Sequence, residues 1–180
     1  LHGGDPLVTS IIGSLVILFV SLYLAHGFNK RTSISLLATI ITLACAATLS
    51  VLFVAFAKLF GGGSEEALYL QLGSGDAINL KGLLLGGIII GTLGILDDIT
   101  TAQTAAVEEI QKANTTFSFR ELYTRGISVG KEHVSSLVNT LALAYARESL
   151  PLFLLFFLNK GQPWWAVLNS ELISEEVVRT

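Results

Sequence analysis

Four long apolar runs alternate with short polar segments along this 180-residue chain. The first, LVTSIIGSLVILFVSLYLA over 7–25, and the second, ISLLATIITLACAATLSVLFVAF over 34–56, carry no charge. The third opens at Leu80 with LKGLLLGGIIIGTL and is expected to span 80–99. The fourth, VSSLVNTLALAYARESLPLFLLFFL over 134–158, is apolar at both ends with Arg147 and Glu148 near its middle. At about 1.5 Å per residue each is long enough to cross a hydrocarbon core about 30 Å thick. Apolar residues gathered into blocks predict an all-α, polytopic membrane helix bundle of four transmembrane helices in a single integral-membrane domain.

The segments between the blocks are short. HGFNKRTS, 26–33, is a hydrophilic turn, and 57–79 is a loop broken by Gly61, Gly62 and Gly63, with EEALYLQL as one short interfacial turn. The polar stretch 100–133 reads as a cytoplasmic helical loop. Ile99, Ala102, Ala106 and Ile110 keep helical spacing, and SFRE at 118–121 is a capping box that opens a second short helix, punctuated by Gly126 and Gly130. Residues 162–180 form an amphipathic segment after Trp164 and Trp165, which suit a membrane interface, with Asn169 or Ser170 as its cap.

Composition sharpens this picture. The chain is 52% hydrophobic and 14% charged, against about 25% charged in soluble domains. A net charge of −3 with no basic stripe argues against nucleic-acid binding. Cys45 is the only cysteine and reads as a small hydrophobe. A start at Leu1 and the lack of methionine read as a processed product or a fragment. The first block lacks a basic n-region and is too long for a signal peptide. Lys30, Arg31, Lys112, Arg120, Arg125 and Lys131 lie in two of the connecting segments; Lys58, Lys81 and Lys160 lie on the other side. The positive-inside rule then places 26–33 and 97–133 in the cytoplasm and both termini outside.

The candidate chemistry lies at the ends and middles of the spans. Asp97 and Asp98 close the third block. Either they mark the exit from the bilayer, or they are carboxylates held inside it, able to carry protons or bind a cation. Thr100, Thr101 and Gln103 supply neutral oxygens beside them. On the fourth block Ser136, Asn139, Thr140 and Arg147 share one face, and Pro151 is expected to kink the helix by leaving the Arg147 carbonyl free. A charge at that depth should turn inward and find a partner, across helices at Asp97 or Asp98 or in a structural pair with Glu148. The candidate ion or substrate pathway is therefore Asp97, Asp98, Thr101, Asn139, Thr140, Arg147 and Glu148. Gly82, Gly86, Gly87, Gly91 and Gly94 offer a small-residue face for helix packing or sliding. His2, His26 and His133 are scattered and read as interfacial polar residues, and NTT at 114–116 reads as a helix-end signal. No nucleophile elbow, P-loop, Cys–His pair or HExxH motif is present, so neither an enzyme, a cofactor nor a metal site is expected.

GILDD, LYTRGISVGKEH, VNTLALAYA, SLPL and the closing SELISEEVVRT together resemble the YibE/F family of bacterial multi-pass membrane proteins. The resemblance implies the C-terminal membrane part of such a protein, in the bacterial cytoplasmic membrane, with further spans before it and one after it. It supplies an architecture and no mechanism. The family pattern has small residues where Arg147 and Glu148 stand, so a role for that pair would be particular to this chain. Two functions are expected: a permease that uses ionisable intramembrane groups, or a membrane scaffold or assembly subunit. The partners are the bilayer and other membrane subunits or further copies of the chain.

Overall fold

The computed structural model describes residues 4–63, 65–74 and 78–148, with isolated positions between 150 and 173. Five helices lie among them: α1 (Pro6–His26), α2 (Lys30–Phe56), α3 (Glu65–Ser74), α4 (Leu80–Ala113) and α5 (Phe119–Glu148). The chain is all-helical there, as expected of a helical membrane bundle.

The helix starts are written in the local sequence. Asp5 accepts from the Leu7 amide at 2.9 Å and Pro6 takes the first helical position, where it has no amide to waste. Asn29 caps α2 by accepting from the Thr32 amide at 2.8 Å, and Asn79 caps α4 through the Gly82 amide at 3.0 Å. The capping box holds: Glu121 accepts from the Ser118 amide at 2.9 Å, while the Glu121 amide reaches the Ser118 hydroxyl at 3.4 Å. Stops are equally local. Gly27 leaves α1 with a φ of 73°, and Gly61, at φ 85°, packs against the Leu80 backbone where a side chain would collide.

α1 and α4 run parallel and α2 antiparallel to both, with α4 packed directly on each of the other two. Asp5 and Ser10 of α1 lie beside Gly82 and Gly86 near the start of α4. Leu18 and Leu22 join Leu43, Ile89 and Leu93 in one core cluster. Val54 and Leu59 close a second cluster with Leu84, Leu85 and Ile88. The core is the seam where the three helices meet. Their outer faces stay apolar and exposed, as at Ile17 (58%) and Phe56 (90%). A bundle solvated by lipid turns such faces outward, because acyl chains are as apolar as leucine. Three helices, α1, α2 and α4, are long and apolar enough to cross a membrane among the described residues.

Two helices extend beyond the apolar spans expected in them. α4 holds the third block and continues past residue 99 to Ala113, and α5 starts at Phe119, after the expected capping box, and runs without a break into the fourth block at 134. The polar stretch 100–133 is thus the end of α4, a turn at 114–118 and the first half of α5. Gly126 and Gly130 do not punctuate α5; they lie inside it. Beyond Glu148 the expected fourth span, with its proline kink at Pro151, falls largely outside the described residues, as does most of 162–180.

Candidate functional site

A ladder of hydroxyls ties α2 to α4. The Ser35 hydroxyl lies 3.1 Å from that of Thr101 and 3.2 Å from that of Thr100, and Thr39 meets Thr100 directly. Thr39 donates to the Ser35 carbonyl at 3.0 Å. Thr101 donates to the Asp97 carboxylate at 3.5 Å. Each hydroxyl has one proton, so the contacts share donors. Thr39 donates to the Ser35 carbonyl and Thr101 to the Asp97 carboxylate, Thr100 donates to the Asp97 carbonyl at 3.2 Å or to Thr39, and Ser35 donates to Thr100 or to Thr101. Ser35, Thr39 and Thr100 are buried, so the seam is dry apart from its carboxylate end.

This seam fixes the level of Asp97. Thr39 stands five residues inside the apolar block that opens at Ile34, or about 7 Å along the axis. Asp97 is three residues from Thr100 toward the middle of α4, a further ~4.5 Å. Taken instead from Ser35 and Thr101, the same sum is shorter, so Asp97 lies roughly 8–12 Å inside the level at which α2 turns apolar. Its side chain is half-buried; that of Asp98 is exposed.

The polar boundary comes later. Arg31 of α2 pairs with Glu108 at 3.2 Å, and Lys112 pairs with Glu108 and Glu109 at 3.0 and 2.9 Å. Glu108 is eleven residues past Asp97, roughly 16 Å along the helix. Exposed pairs of this kind add little stability. They do show where charged side chains from two spans first meet.

The second junction joins α4 to α5. Gln103 donates to the Gly126 carbonyl at 2.8 Å, and its amide oxygen fills the space where a Gly130 side chain would begin. Val107 does the same at Gly126. Ile99 and Gln103 share a cleft with Ile127, His133 and Val134. The helices form an antiparallel hairpin in which residue 99 is level with about 134.

That register separates the expected pathway residues. Asp97 and Thr101 are together. Asn139 and Thr140 are exposed on α5, and Thr140 donates to its own helix at the Ser136 carbonyl, 3.1 Å away. Arg147 is exposed and, thirteen residues past Val134, lies roughly 20 Å along α5 from the level of the aspartates. No ion pair joins Arg147 to Asp97 or Asp98 among the described residues. The Glu148 side chain lies outside them. The five glycines of α4 also divide. Gly82 and Gly86 face Asp5 and Ser10 of α1, while Gly87, Gly91 and Gly94 meet nothing within 4 Å among the described residues.

Ser35, Thr39 and the Arg31–Glu108 pair were missed from sequence. Thr32, Ser35 and Thr39 repeat at helical spacing in an otherwise apolar block, and that was the available signal. Among the described residues no three His, Cys, Asp or Glu side chains converge.

Long lipid-exposed helices around a hydroxyl-lined seam define a helical membrane protein. The chain belongs to the YibE/F-like family, whose model, described as YibE/F-like protein, matches residues 1–180. The match takes in the first 79 residues as well as the motifs after Leu80. No curated protein and no solved structure matches the chain.

Proposed function

We propose that this membrane protein is a permease whose ion-handling group is Asp97, fed by the Ser35–Thr101 hydroxyl chain. One observation carries the reading: a carboxylate accepts from a hydroxyl chain roughly 8–12 Å inside the apolar level of its neighbour span. A carboxylate at such a depth is costly and serves a function by default. The relay offers one carboxylate and several neutral oxygens, which suits a proton better than a hard cation needing many ligands. In this reading the chain catalyses no covalent step and uses no cofactor. It works in the bacterial cytoplasmic membrane with the 26–33 turn inside and both termini outside. Asp98, Asn139, Thr140, Arg147 and Glu148 are secondary candidates along the path. The test is proton flux into proteoliposomes that hold a pH-sensitive dye. Asp97→Asn is expected to reduce flux to background while Asp98→Asn keeps most of it. Equal flux in Asp97→Asn and the parent would remove the reading.

A second reading, a scaffold or assembly subunit, is favoured by Gly87, Gly91 and Gly94, which open a smooth face on α4 that neither α1 nor α2 covers. Its partner would be another membrane subunit or a second copy. Gly91→Leu would then abolish association while leaving the isolated chain folded, as read by co-purification of differently tagged copies or a partner.

A further inference from the structure

Two clefts flank the start of α2, and Lys30 lines both. One, of about 510 Å³, lies between α2 and the end of α4, with Arg31, Gln103, Thr104, Glu108 and Gln111 on its walls, the Glu108 carboxylate being paired with Arg31 and Lys112. The other, of about 600 Å³, is walled by Tyr23, Phe28 and Ser33. Tyr23 and Phe28 stack at 4.3 Å between ring centroids, and the Tyr23 hydroxyl is 3.0 Å from that of Ser33, so the aromatic wall is held in place. Aromatic side chains of this kind favour the headgroup level.

The charges at this point are unequal. Arg31 and Lys112 are engaged with Glu108 and Glu109. Lys30 makes no ion pair among the described residues. Asn29 already satisfies the Thr32 amide at the helix start, so attraction for an anion comes from the lysine side chain, supported by Arg31. Ile34 lines both clefts. Below it Leu37 and Ile41 continue the same helix face, and all three are more than half exposed, at 60%, 60% and 55%.

A cation beside polar amides, an aromatic wall and an apolar stripe leading into the bilayer match a whole lipid better than a free anion. We infer that Lys30 and the clefts on either side of it form a headgroup site for an anionic phospholipid, whose acyl chains lie along Ile34, Leu37 and Ile41. Basic pockets beside membrane-spanning helices recognise such headgroups by charge. This site is separate from Asp97 and stands whether or not the chain transports anything.

The test uses the purified chain after exposure to vesicles of equimolar phosphatidylcholine and phosphatidylglycerol, with retained lipid counted by native mass spectrometry. The parent should retain phosphatidylglycerol in preference. Lys30→Gln should lower that preference about fivefold, the equivalent of about 1 kcal/mol for one basic side chain at an anionic surface. Lys81→Gln, at the other end of the spans, should leave it unchanged. A parent without preference, or equal losses in both variants, would overturn the site. Release of the retained lipid by millimolar inorganic phosphate would overturn the lipid assignment in favour of a small-anion site. Circular dichroism of both variants checks that the helices persist.

Discussion

The two halves of α4 make contact in opposite ways. From Leu80 to Thr101 it is held on two sides, by Gly82 and Gly86 against α1 and by buried hydroxyls and leucines against α2. From Ala102 to Ala113 its residues are half-buried or exposed, and its contact with α5 is made at two glycines, Gly126 against Val107 and Gly130 against the Gln103 amide. The first half is packed on two neighbours by backbone and short side chains, the second on one neighbour and, at Gly130, by the tip of a flexible side chain. Equal substitutions should therefore have unequal costs. A bundle of this build keeps its three lipid-exposed spans as one body, and the α4–α5 hairpin is the part that yields first.

The largest expected effect comes from filling Gly86. A Cβ there meets the Ser10 hydroxyl and, at 2.9 Å, the Ser10 Cβ, which is fixed on the α1 backbone and cannot swing away. Gly86→Ala should push α1 from α4 and cost about 1–3 kcal/mol, by the overpacking rule. At Gly130 the first atom met is the Gln103 amide oxygen, at 2.8 Å. That side chain can rotate, giving up its bond to Gly126. Gly130→Ala should cost only about 1 kcal/mol, one net hydrogen bond. Unfolding in mixed detergent micelles measures both. Costs in the reverse order would mean that the α4–α5 hairpin, not the three-span seam, is the firmer part.

The hydroxyls sharpen the comparison inside the first half. Thr39 is buried and bonded to both Ser35 and Thr100, so Thr39→Val should destabilise by about 0.6–1.7 kcal/mol, the measured range for such bonds between membrane helices. Ser14 on α1 is equally buried, but its hydroxyl has no hydrogen-bond partner among the described residues. Ser14→Ala removes an unpaired polar atom and should be neutral or stabilising by up to about 1 kcal/mol. A marked loss in Ser14→Ala would show that a bound water or ligand uses that hydroxyl.

Much of this was legible in the sequence because hydrophobic block length decides what can cross a bilayer. The first two spans match their runs to within a few residues, and Ser118 and Glu121 announced the start of α5. The end of α4 was not legible. Helical spacing through Ile110 predicts a helix that runs on past the expected membrane exit at residue 99, and i,i+4 pairing between Glu108 and Lys112 supports it, but apolar character does not mark where it stops. Nothing in its local chemistry stops it before Asn114. Gly126 and Gly130 misled for a related reason. Glycine is read as a breaker from composition, yet inside a helix packed on a neighbour it serves close approach, which depends on Gln103 and Val107, nineteen or more residues away. The depth of Asp97 was the least accessible, since the register of α4 on α2 is set by Ser35 and Thr39, and nothing local to the aspartates encodes it.

The smallest expected effect tests the other end of the comparison, where α5 begins. The Ser118 hydroxyl and amide both donate to Glu121, with Arg125 adding its charge, and together they hold the Glu121 carboxyl below its ordinary range. A carboxylate with a lowered folded-state pKa stabilises the fold above its unfolded pKa, and that contribution is lost as pH falls through the folded value. The cap should therefore be intact above the ordinary 4.5 of glutamate and fray only in more acidic solution. Amide exchange at Glu121 and Leu122 should quicken as pH falls through that window, after correction for intrinsic rates. Glu121→Gln should abolish the pH dependence and Thr39→Val should not alter it. If Thr39→Val did alter it, the two halves of α4 would be coupled and α5 would belong to the same cooperative unit as the three spans.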